Sequence, residues 1–60
     1  MRPHVHVESS SGEAKFWLEP IVALATSEGL TARQLSKIQK IVEAKRDVIL
    51  KAWKTHFHVP

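Results

Sequence analysis

Cysteine and tyrosine are both absent from this chain, and in 60 residues glycine occurs only twice and proline three times. Without thiols there is no disulfide framework and no thiolate zinc site. No apolar run is long enough for the core of a secretory leader or for a membrane span. The expected location is therefore the cytoplasm, with no membrane partner. A chain this short buries only about 60% of the surface it exposes when unfolded, so a single small domain, residues 1–60, rests on a marginal core. Packing has to hold it together, or association with another chain.

Charge is present and unevenly placed. Residues 1–30 carry a net −2 and residues 31–60 a net +5, within an overall +3. A basic half suits an acidic partner, nucleic acid or protein, and equally suits a solvated helix face.

The stretch RPHVHVE, residues 2–8, alternates polar and apolar residues, the pattern of a half-buried strand. His4, His6 and Glu8 share one side and Val5 and Val7 the other. A second alternating run, EAKFWLEP, places Ala14, Phe16 and Leu18 on one side and Lys15, Trp17 and Glu19 on the other. The Ser9–Gly12 stretch between them marks a hairpin, expected over about 4–9 and 13–19. A loop of residues 9–12 would set Glu8 against Glu13, a like-charge pair. A tight Ser11-Gly12 turn instead pairs Glu8 with Lys15, His6 with Trp17 and His4 with Glu19, and is the register expected here. The outer face then collects His4, His6, Lys15, Trp17 and Glu19.

From Pro20 the period looks helical. Ile21, Val22, Leu24 and Ala25 fall at helix spacing, with proline in the first turn and Gly29 past the end, which predicts a short helix over about 20–28. Thr31 with Gln34 is a capping box, and Leu30 can staple to Leu35. A long helix follows over about 32–56, with Leu35, Ile38, Ile41, Val42, Val48, Ile49, Ala52, Trp53 and Phe57 as its apolar stripe. Its length leaves room for a break near Ala44–Asp47. The fold class is α+β, the long helix covering the valine side of the hairpin.

The strings PHVHV, GEAKFWLEP, LATSEGLT, QLSKIQKIV and AWKTHF together resemble the bacterial domain-of-unknown-function family 4160, over Pro3 to Phe57. The likeness is to its short members, which open on a Pro-His-x-His-Val motif. It implies a small product of paired genes, in a toxin–antitoxin-like module, with a homo-oligomer or a small cognate protein as partner. His4, His6, Glu13, Lys15, Phe16, Trp17, Leu18, Glu19, Pro20, Gly29 and Trp53 are the motif positions, and the resemblance assigns none of them a role.

Four chemistries fit these residues. In a metal-independent ribonuclease-type toxin, His4 and His6 would serve as acid and base, Lys15 would meet the developing phosphorane charge, and Trp17 would stack on a base. RNA contact without cleavage would use Trp17 and Glu19 together with Arg33, Lys37 and Lys40. A helix-turn-helix would place Arg33, Gln34, Lys37 and Lys40 in a DNA groove, with Ala25, Gly29 and Leu35 at the turn positions. A dimerisation or adaptor module would use its open strand edges, with Trp53 and Phe57 in an interface or in ordinary core packing. Four imidazoles, from His4-Val5-His6 and His56-Phe57-His58, would hold a metal only if the termini met. Neither metal nor cofactor is called for.

Overall fold

The computed structural model describes residues 2–57. Three antiparallel strands, β1 (His4–Glu8), β2 (Glu13–Trp17) and β3 (Ala23–Glu28), form one sheet in the order β1-β2-β3. Two helices follow, α1 (Ala32–Ala44) and α2 (Arg46–Phe57). The α+β class holds, but the two-stranded hairpin becomes a three-stranded sheet and the long helix is divided in two.

The hairpin closes in the register that carries the like-charge pair. Glu8 faces Glu13, His6 faces Lys15 and His4 faces Trp17, while Val5 faces Phe16 and Val7 faces Ala14. Ser9 and Gly12 exchange both backbone hydrogen bonds, at 2.8 and 3.3 Å, so the turn itself is Ser10-Ser11. The expected Ser11-Gly12 turn fails because Gly12 is needed elsewhere. A Cβ there would fall on the Glu28 carbonyl oxygen, and one on Gly29 (φ 81°) would lie 2.5 Å from the Ser11 carbonyl oxygen. The chain's only two glycines thus bring the β1–β2 turn against the β3–α1 turn, backbone to backbone. The in–out phase survives this shift of register: Val5 packs against the core, and Val7, on the same side, is half-buried.

The expected helix over 20–28 is β3. Its apolar run is short, and periodicity alone does not separate a buried strand from a helical turn. What decides is the open edge of β2: a two-stranded hairpin is marginal in water, and a third strand satisfies the remaining backbone groups. The pairing passes from Lys15↔Thr26 to Phe16↔Leu24, leaving Ala25 as a bulge. The Glu19–Pro20 peptide ahead of β3 is cis. With a strand in place of its first helix, the helix-turn-helix reading falls.

Helix α1 begins as expected. The Gln34 N–H donates to Thr31 Oγ1 at 3.1 Å and the Thr31 N–H donates to Gln34 Oε1 at 2.9 Å, both halves of the capping box. Leu30 and Leu35 both pack on the core. The helical path breaks at Lys45, inside the expected window. Ile49 still donates to Lys45 O at 3.0 Å, so the two helices are joined by a single distorted residue.

Ala14, Phe16, Leu18, Val22 and Val42 are buried, with Val5, Leu30, Leu35, Ile38, Ile49 and Leu50 packed around them. Phe16 and Leu18 are sealed completely. Arg46 lies on the same helical stripe as Leu35, Ile38, Val42 and Ile49, where an apolar residue would be expected. Its Nε donates to the Leu18 carbonyl at 2.7 Å, a part-buried, charge-assisted bond that ties α2 to the end of β2.

Two outcomes follow. Phe16→Ala should cost about 3–5 kcal/mol, most of what a domain of this size holds; a circular-dichroism melt close to the parent's would contradict it. Arg46→Met keeps the length and removes the donor, and should lower the urea-unfolding free energy by about 1.5–3 kcal/mol.

Candidate functional site

The sheet's outer face, the side opposite the buried Ala14 and Phe16, carries His4, His6 and Glu8 from β1 and Glu13, Lys15 and Trp17 from β2. Its two ends differ in chemistry. Near Trp17 it is cationic and aromatic, and near the Ser10-Ser11 turn it is acidic.

At the cationic end, Trp17 is the hub. The Arg2 guanidinium carbon lies 4.5 Å and the Lys15 Nζ 4.6 Å from its ring centroid, both within cation–π range. Arg2 is held by its Nε donating to Glu19 O at 2.9 Å. The His4 ring meets Trp17 edge-on, centroids 6.1 Å apart, and meets Trp53 of α2 at 6.3 Å. His4 Nδ1 lies 3.0 Å from Arg2 O. A carbonyl only accepts, so Nδ1 carries a proton, and in the neutral ring Nε2 holds the lone pair.

At the acidic end, His6 Nε2 stands between two carboxylates, 3.5 Å from Glu8 Oε1 and 3.4 Å from Glu13 Oε2. The like-charge pair that made this register look unfavourable is bridged by an imidazole. Beside the face, a cleft of about 340 Å³ runs between β1 and α2, lined by His4, Val5, His6, Ile49, Ala52, Trp53 and His56.

The expected set is only partly assembled. His4, His6, Lys15 and Trp17 share the face, but His6 is opposite Lys15 rather than Trp17. Glu19 is not opposite His4. It lies past the end of β2, where its Oε1 pairs with Lys54 Nζ at 3.5 Å. Arg33, Lys37 and Lys40 are exposed on the side of α1 opposite Leu35, Ile38 and Val42, so the helix layer separates them from the histidines. His58, and with it the four-imidazole cluster, lies outside the described residues. Among the described residues the group with metal-ligand spacing is His6, Glu8 and Glu13. Sequence reasoning placed Glu8 beside His4 and His6 without giving it a part in the site, and missed Arg2 and Glu13 as members of the face. The signal was the Glu8–Glu13 opposition itself, which calls for a cation between the two side chains.

No helix among the described residues is long and apolar enough to cross a membrane. Residues 1–54 match the family model described as "Domain of unknown function (DUF4160)". The chain therefore belongs to that family. No curated protein matches it, and no solved structure does.

Lys15 and Trp17 should be energetically coupled. A double-mutant cycle on Lys15→Met and Trp17→Leu is expected to give about 0.5–1 kcal/mol, as for exposed cation–π pairs. Strict additivity of the two unfolding free energies would show that the ring contact contributes nothing.

Proposed function

We propose that this domain binds single-stranded RNA without cleaving it, as the RNA-contacting member of a cytoplasmic two-component, toxin–antitoxin-like module alongside a small cognate partner. The observation that carries the reading is the convergence of Arg2, His4 and Lys15 on Trp17, on the side of the sheet opposite the buried Ala14 and Phe16. Single strands are gripped by cations along the backbone and by aromatic rings offered to bases, and both are gathered here within a few ångströms. The chain's net charge of +3 favours the encounter.

Contact is favoured over cleavage by the surroundings of the second histidine. General acid–base cleavage needs His4 and His6 on either side of a phosphodiester. The two carboxylates beside His6 Nε2 would repel that anion.

Fluorescence anisotropy with a labelled, mixed-sequence RNA oligonucleotide tests the reading. Trp17→Ala and Lys15→Ala should each weaken binding about tenfold, in the range of one lost stacking or charged contact. Arg33→Ala with Lys37→Ala should leave the Trp17 dependence in place. Loss of binding with the helix pair alone, or no binding at low salt, would overturn the assignment. RNA cut by the parent and left intact by His4→Ala would restore the nuclease mechanism instead.

A further inference from the structure

We propose that His6, Glu8 and Glu13 form a binding site for a first-row divalent cation, Zn²⁺ being the natural occupant. The proposal stands apart from RNA binding: none of these three residues is among those that converge on Trp17, although Lys15 faces His6 across the hairpin.

The geometry is that of a coordination edge rather than of a hydrogen bond. The imidazole nitrogen stands 3.5 and 3.4 Å from the two carboxylate oxygens, long for hydrogen bonds to an ionised acceptor. Zinc bonds of about 2.0–2.2 Å spread at the tetrahedral angle place neighbouring donors about 3.4 Å apart. All three donor atoms lie within 4.8 Å of one another, within reach of a single ion.

The scaffold holds the donors ready. His6 and Glu8 are two residues apart on one strand and point to the same side, and Glu13 is directly across from Glu8. The paired Ser9–Gly12 backbone bonds close the turn just beyond them. A cation here also removes the repulsion between Glu8 and Glu13 more completely than a neutral imidazole does. The imidazole sets the metal class. Mg²⁺ and Ca²⁺ prefer an all-oxygen shell, whereas one nitrogen with two carboxylates suits Zn²⁺ and its first-row neighbours. Three protein donors leave at least one position for water or for a side chain from a partner.

Isothermal titration of Zn²⁺ into the metal-free chain at neutral pH tests the site. One equivalent is expected to bind, and the thermal midpoint should rise with zinc concentration. His6→Ala and Glu13→Gln should each weaken binding at least about tenfold, as loss of a direct ligand requires. All three side chains are exposed, so both variants keep the core, and an unchanged metal-free melt verifies that. His56→Ala should leave the affinity as it is. The proposal is overturned if zinc does not bind, if His6→Ala binds as the parent does, if His56→Ala abolishes binding, or if Mg²⁺ binds as tightly as Zn²⁺.

Discussion

The fold depends on one strand having both its edges paired. β2 donates and accepts on one side to β1 and on the other to β3, and it carries Phe16, which with Leu18 just beyond it is fully buried. Everything else is arranged to keep that strand covered: Val42 and the flanking residues of α1 and α2 lie over it, and Arg46 reaches across to the Leu18 carbonyl. Among the described residues the buried side chains form one cluster, and in a domain this small that cluster carries the whole load. Position 46, which on a helical wheel belongs to the apolar stripe, holds an arginine because a backbone acceptor must be satisfied there.

Much of this was legible in the residues. The alternation in His4–Glu8 and Ala14–Leu18 gave two strands and the direction each side chain faces. The Thr31–Gln34 box gave the start of α1, and the length of the last helical segment gave its break. These are signals of strict period or of paired side chains, and local chemistry decides them. The stretch after Pro20 was misread for a different reason. Five apolar residues with a proline before and a glycine after satisfy helix and strand alike, and the choice was made by the unfilled edge of β2, which is not local. The hairpin register was misread because cross-strand charge was weighed alone. The steric demand of Gly12 against Gly29 acts across 17 residues of sequence and outweighs it.

The candidate site was legible to the same degree. That His4, His6, Lys15 and Trp17 share a face follows from alternation alone. Which of them touch does not, because a shift of register by two residues re-pairs every residue while leaving its side unchanged. That shift moved Trp17 from His6 to His4, freed His6 to stand between glutamates, and sent Glu19 to Lys54. The face therefore has two chemically distinct halves, where the residues taken singly suggested one mixed surface.

The separation of Arg33, Lys37 and Lys40 from the tryptophan face has a further bearing. Arg33, Lys37 and Lys40 are exposed on α1, whereas the cations gathered at Trp17 lie on the sheet. The thickness of the helix layer therefore sets the distance between the cationic ridge of α1 and the Trp17 side of the sheet.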